Sequence, residues 1–217
     1  MMTETIANLI KNLEKNNMNA EFYSTKEEVL ARVKELLPEG CSCASGGSMS
    51  LKECGITDLL RSGKYQFLDR SAPGLSPEER DQLTAASHSV QYYLCSTNAL
   101  IADGTLYNVD GFANRVSALA NGPEKVILVV GLNKLVANAE EAIRRVKTIA
   151  APQNCRRLSC DTYCAKAGQC VSLNKENPSM TDGCDSPSRI CCTYLFTGKQ
   201  RAKGRITLLL CEENLGF

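Results

Sequence analysis

The sequence predicts an α/β fold, a three-layer sandwich around a largely parallel or mixed sheet. Three observations carry that expectation. The run Lys125-Val126-Ile127-Leu128-Val129-Val130-Gly131 is apolar and rich in β-branched residues, as a central strand covered on both faces would be. Ile6, Leu9, Ile10 and Leu13 recur at the spacing of one helix face. Strand-like and helix-like segments then alternate between Gly-, Pro- and Asp-containing turns, the order expected of βα units.

Taken in order, a helix is expected over about residues 3–16 and a strand over 20–24. Ser24 or Thr25 caps the next helix, with Glu27 and Glu28 in its first turn and Val29, Val33, Leu36 and Leu37 inward; Pro38-Glu39-Gly40 stops it. A buried strand at 41–45 runs into Gly46-Gly47-Ser48-Met49-Ser50 and a helix over 51–60. A strand follows at 65–69, then a loop, and a helix over 78–87 capped by Ser76. The strand at 92–95 leads into a stretch with two Asp-Gly pairs, Asp103-Gly104 and Asp110-Gly111, around Thr105-Leu106-Tyr107-Asn108-Val109. Asp-Gly marks a tight turn, so this reads as a hairpin-like excursion at a strand end, where α/β sheets bind ligands. Helices at 113–120 and 137–150 flank the central strand, the second with Glu140, Glu141, Arg144 and Arg145 outward. From Ala151-Pro152 the character changes, and residues 155–192 read as a cysteine-rich insertion in one domain spanning 1–217. Strands at 193–196 and 206–210, joined by a turn carrying Lys199, Arg201, Lys203 and Arg205 on a solvated face, close the chain.

A formal net charge of +1 gives no bulk attraction for nucleic acid, and no apolar run approaches the ~20 residues of a membrane span. Met1-Met2-Thr3-Glu4-Thr5-Ile6 lacks the basic and apolar regions of a signal peptide, so a cytoplasmic location is expected. No nucleotide cofactor is evident, and a homo-oligomer is compatible with the composition.

Twelve cysteines are many for such a setting, where thiols stay reduced, and with His88 the sole histidine any metal site must rest on thiolates. Cys160, Cys164, Cys170, Cys184 and Cys191 fall in one polar window with few helical signals, which would need an organiser. Their spacing matches neither a zinc ribbon nor a ferredoxin run. Soft ligands without histidine favour an iron–sulfur cluster, with zinc the alternative and a redox dithiol third. Isolated Cys54, Cys95 and Cys211 read as small hydrophobes.

The residues expected to hold an anion are Gly46, Gly47 and Ser48 in the Gly-rich turn, Asn98, and Asp110, Asn114 and Arg115 around the second Asp-Gly pair. Arg115, in the first turn of a helix, is poorly placed for the dipole and well placed to grip an anion bidentately. Arg189, beside the cysteines, is a second such cation facing it from the insertion. Asp103, next to Gly at a strand end, is the candidate general base or nucleophile, although Asp-Gly is also the commonest of turn dipeptides. His88, at a helix end, reads as structural or exposed.

Thr97-Asn98-Ala99, Asp103-Gly104-Thr105, Asn108-Val109-Asp110-Gly111 and Asn114-Arg115-Val116 together resemble the LUD-domain family, named for lactate utilisation. Ala150-Ala151-Pro152-Gln153-Asn154 and Cys184-Asp185-Ser186-Pro187-Ser188-Arg189-Ile190-Cys191 extend the resemblance over essentially the whole chain. It implies a fold similar to the sugar-phosphate isomerase and coenzyme A transferase superfamily. There an acidic residue beside Gly often carries the chemistry and a Gly-rich turn often holds phosphate, parts that Asp103 and Gly46-Gly47-Ser48 would take here. The family's best-known members serve an iron–sulfur lactate oxidation system with oxidoreductase partner subunits. The expectation is therefore a protein of organic-acid metabolism that binds a small anionic metabolite beside a thiolate metal site. Its rivals are a non-catalytic electron-transfer or structural subunit, and a transferase or isomerase acting on a phosphorylated or thioester substrate through Asp103.

Overall fold

Two sheets organise the chain, where the sequence had suggested one. The computed structural model describes residues 3–217, so Met1 and Met2 of the N-terminal segment lie outside the described residues. In chain order the strands are β1 (Asn19–Tyr23), β2 (Ser42–Ser45), β3 (Gln66–Leu68), β4 (Tyr92–Cys95), β5 (Ala99–Ile101), β6 (Leu106–Asp110), β7 (Lys125–Gly131), β8 (Leu135–Val136), β9 (Thr193–Thr197) and β10 (Ile206–Cys211). The helices are α1 (Glu4–Lys15), α2 (Lys26–Leu36), α3 (Met49–Glu53), α4 (Ile56–Leu60), α5 (Pro77–Ala86), α6 (Asn114–Ala120), α7 (Ala139–Arg145), α8 (Ala151–Arg157) and α9 (Tyr163–Ala167).

The main sheet has six strands in the order β1-β10-β7-β4-β2-β3, and every pairing in it is parallel. Alternation along β7 explains its unbroken hydrophobicity. Val126, Leu128 and Val130 enter the core shared with α1, α6 and the second sheet, while Ile127 and Val129 enter the core beneath α2, α3 and α4. The second sheet, β8-β5-β6-β9, is mixed and lies against the first of these cores through Leu100 and Leu106. It turns Tyr107 and Val109 the other way, toward Ala142, Val146, Met180 and Cys191. The insertion therefore packs on this sheet and shares its core.

Local chemistry explains most boundaries. Thr3 caps α1, and Thr25 with Glu28 and Ser76 with Glu79 form capping boxes on α2 and α5. The helix expected over 51–60 is instead α3 and α4, divided at Gly55, which adopts φ 71°. The helix expected to end near 150 continues through a π turn, Val146–Ala150, into α8. Ala151 N–H reaches back to Val146 O, so the register has already shifted when Pro152, which has no N–H to donate, enters in the first turn of α8. Arg145, expected to face outward, is buried and donates to Asn98 O (2.6 Å) and Asn133 O (3.2 Å). Arg205, expected on a solvated face, caps the C-terminal carbonyls of α6 at Ala118 and Leu119. Among the described residues no helix is long and apolar enough to cross a membrane.

Candidate functional site

The chain leaves β2 to cover one face of the main sheet with α3 and α4, and leaves β4 to cover the other with the second sheet and α6. The connections diverge at the neighbouring C-terminal ends of β2 and β4, which makes a crevice at a topological switch point. A cleft of about 230 Å³ opens there. Gly46, Gly47 and Ser48 line it from the end of β2, Ser96, Thr97 and Asn98 from the end of β4, and Lys134 from beyond β7. Asp110, Gly111, Asn114 and Arg115 line it from the second sheet, with Arg70, Asn154 and Arg157 on its rim.

Seven of the eight residues expected to hold an anion thus share one cleft. Gly46 is there for close approach: a Cβ would lie 3.2 Å from Tyr93 Oη and 3.3 Å from Cys95 Cβ. Ser48 accepts from Leu51 N–H as the cap of α3, a helix too short to act as a strong dipole. Asp110 accepts through Oδ2 from the backbone N–H groups of Arg115 and Val116, both at 2.8 Å, and so caps α6. Its Oδ1 accepts both Arg115 Nε (3.0 Å) and Nη2 (2.6 Å), two charge-assisted bonds on one oxygen.

Arg115 departs from its expected role. Its remaining donors go to Ser96 O (2.9 Å), Asn98 Oδ1 (2.6 Å) and Val109 O (3.0 Å), so the guanidinium is a clamp that ties β4, β6 and α6 together. Little of it is left to grip an anion. Asn98 Oδ1 also accepts from Val109 N–H at 2.8 Å, which directs its amide nitrogen away from that pair of donors. The basic side chains free of carboxylates around the cleft are Arg70, Arg157 and Lys134 among the described residues. Arg157 is held by Asn154 Oδ1 (2.7 and 3.0 Å), and Arg70 by the Asn114 side chain.

Two expected residues lie elsewhere. Asp103 sits at the opposite end of β6, exposed, with Oδ1 accepting Thr105 N–H at 2.8 Å in an Asx turn. Asn16 Nδ2 donates to its carbonyl at 3.1 Å, so the turn is docked on the end of α1 and does not line the cleft. Arg189 spends its guanidinium on the carbonyls of Thr181 (2.6 Å), Cys184 (3.4 Å) and Cys191 (2.9 Å) and on Tyr194 Oη (3.0 Å). It organises the insertion, from which Arg157, Leu158 and Ile190 reach the cleft.

Lys134 was not among the expected residues. It follows the central strand in a three-residue turn, reads in sequence as an ordinary surface lysine, and is 3% exposed. Burial first, then the nearby Arg145 and Arg115 charges, push its pKa down to about 7. An apolar strand ending in Gly131-Leu132-Asn133-Lys134 was the available signal, since the C-terminal end of a central strand is where such a group would be used.

All twelve cysteines are free thiols. Burial pushes Cys43, Cys54 and Cys95 up to about 12, as small hydrophobes. Of the five expected metal ligands, Cys164, Cys170, Cys184 and Cys191 line one cavity of about 20 Å³ with Tyr107, Lys147 and Met180. Cys160 is outside it, and Cys155 lies 3.7 Å from Cys164. Among the described residues no group of three or more His, Cys, Asp or Glu side chains is gathered closely enough to hold a metal ion. His88 is structural: Nε2 meets Ser117 Oγ at 2.8 Å.

The LUD-domain family profile matches residues 6–211. No curated protein sequence matches. Among solved structures the chain is similar to a DUF162 family protein from Deinococcus radiodurans, at 14% identity and TM-score 0.51, covering 97% of this chain and 99% of that one. Weaker likenesses are to eIF2B beta from Chaetomium thermophilum (12% identity, TM-score 0.36, 54% of this chain, 44% of that) and to eIF2B delta from the same organism (15%, 0.35, 64% and 55%).

Proposed function

The chain belongs to the LUD-domain family, and from that premise we propose that it binds a small anionic metabolite of organic-acid type in the cleft between the ends of β2 and β4. One observation carries this reading. Asp110 supplies the sole acidic side chain among the residues lining the cleft, and it is committed to Arg115, so the guanidinium groups of Arg70 and Arg157 stand there without an acidic side-chain partner. Charge of one sign in a concave, partly dry site attracts and orients a small anion. The volume of about 230 Å³ suits a compact acid better than a nucleotide. Titration calorimetry with inorganic phosphate and with pyruvate tests it. Arg70→Gln and Arg157→Gln are each expected to weaken binding about tenfold, the loss of one charge-assisted hydrogen bond. Unchanged affinity in both variants would remove the reading.

The thiol-lined cavity supports a second, separate reading. Four of the expected ligands share it, and its size holds about one water-sized group, which favours a single zinc-like ion over the iron–sulfur cluster anticipated from composition. The sulfurs would have to draw together to coordinate it. Anaerobic metal analysis with a visible spectrum decides: one colourless equivalent supports a single ion, iron with sulfide supports the cluster, and metal-free protein removes both. The transferase or isomerase reading loses its acid–base group, since Asp103 is remote from the cleft.

A further inference from the structure

Lys134 is the group in the cleft that anion binding alone does not use. Its Nζ lies 2.9 Å from both Ser50 Oγ and Ser96 Oγ, and both serines are buried. Ser50 Oγ lies 3.1 Å from Leu215 O and 3.4 Å from Ser96 Oγ, and Ser96 Oγ lies 3.5 Å from Thr97 O, so each hydroxyl has an acceptor other than Nζ for its hydrogen and can accept from the amine. An ammonium carries three N–H donors and no lone pair, whereas a neutral amine carries two and one. Two acceptors satisfy the neutral form and leave its lone pair unengaged. They would leave one N–H of the charged form without a partner.

The surrounding charges agree with that count. Among the described residues no carboxylate bonds Lys134. The field of Arg145 and Arg115 opposes its charge, while Glu53 and Cys95 favour it more weakly. Glu53 is also engaged by Gly216 N–H at 2.7 Å. A desolvated lysine beside other cations is the setting in which a protein amine becomes nucleophilic near neutral pH.

We propose that Lys134 forms an imine with a small anionic carbonyl compound, a 2-oxo acid or an aldehyde bearing a carboxylate or phosphate, held in this cleft. The proposal rests on the anion-binding reading and names its substrate class. The Nζ lone pair attacks the carbonyl carbon as the C=O pair moves onto oxygen, and a proton passes from nitrogen to that oxygen to give a carbinolamine. The nitrogen pair then expels the hydroxyl, which leaves as water with one further proton, and C=N remains. Amine and carbonyl give imine and water, with no oxidant consumed. Ser50 and Ser96 stand at hydrogen-bonding distance from Nζ to relay the proton, and Arg70 and Arg157 take the anionic end.

The test is reductive trapping on the full chain. Protein is incubated with pyruvate, or with glycolaldehyde phosphate, and sodium cyanoborohydride, and the adduct is located by peptide mass mapping. The expected result is one adduct on Lys134, at least tenfold above any surface lysine and suppressed by excess inorganic phosphate. The probe that reacts distinguishes the carboxylate from the phosphate source. Lys134→Arg, which keeps a long basic side chain and loses the nucleophile, is expected to abolish that adduct. Should that variant not fold, the wild-type map decides alone. Adduct spread evenly over surface lysines, or none, overturns the proposal. Trapping failure with phosphate still binding by calorimetry overturns the imine and leaves the anion site standing, whereas loss of both overturns both.

Discussion

The two Asp-Gly pairs at the ends of β6 carry the same dipeptide into different physics. Asp103-Gly104 closes the hairpin from β5: Gly104 takes φ 86°, Asp103 accepts Thr105 N–H, and Asn12 of α1 and Asn16 just after it fasten the turn through the carbonyls of Ala102 and Asp103. Asp110-Gly111 lies at the switch point, where Asp110 caps α6 and holds Arg115, and Arg115 in turn holds the ends of β4 and β6. One pair is a turn. The other is the joint on which the cleft is built. The difference is set by which end of the strand meets the C-terminal edge of the parallel sheet, and a dipeptide cannot state that.

Breaking the joint should have the largest effect. Arg115→Leu leaves the largely buried Asp110 without its partner and is expected to cost about 3 kcal/mol, read from urea denaturation, with anion affinity lost as well. At the other end, Gly104→Ala forces a side chain into φ 86° with backbone atoms of Asn12 and Leu13 at 3.0 Å. It is expected to cost about 1–3 kcal/mol while anion affinity stays unchanged. That pairing of lost stability with kept binding would separate the two ends.

Lys134 contributes a smaller, pH-dependent term. Its folded pKa of about 7 lies below the ordinary 10.5, so between those values the unfolded chain binds the proton and the folded one does not. Stability referred to Lys134→Met should therefore rise as pH increases from about 7 to 9, and a flat difference would place the charged form in the fold. Smallest of all, Asp103→Asn, which keeps an acceptor for Thr105 N–H, should change stability by less than about 1 kcal/mol and leave phosphate affinity untouched.

Much of this was legible in the sequence because it depends on local order. The β7 run, the Thr25 and Ser76 caps and the Gly46-Gly47-Ser48 turn are each fixed by neighbours in the chain, and each was found. Seven of the residues expected to hold an anion line one cleft for the same reason, since strand ends at a switch point are marked by turn residues. What failed depended on distance. The second sheet was missed because β5 and β8 are only three and two residues long and acquire meaning only by pairing, β8 on β5 and β5 on β6. Arg115 and Arg189 were read as free cations because spacing does not show which carbonyls surround a guanidinium. Lys134 was missed because its burial comes from α3, the end of β4 and the C-terminal segment, all remote from it in sequence.

The central claim is that function resides at the Asp110 end of β6. A two-dimensional amide NMR titration of the full chain with pyruvate tests it most directly. Saturable shifts are expected at Gly47, Ser48, Thr97 and Asn114, with Gly104 and Thr105 unmoved. Shifts gathered at Gly104 and Thr105, or within the Cys164 to Cys191 segment, would contradict it.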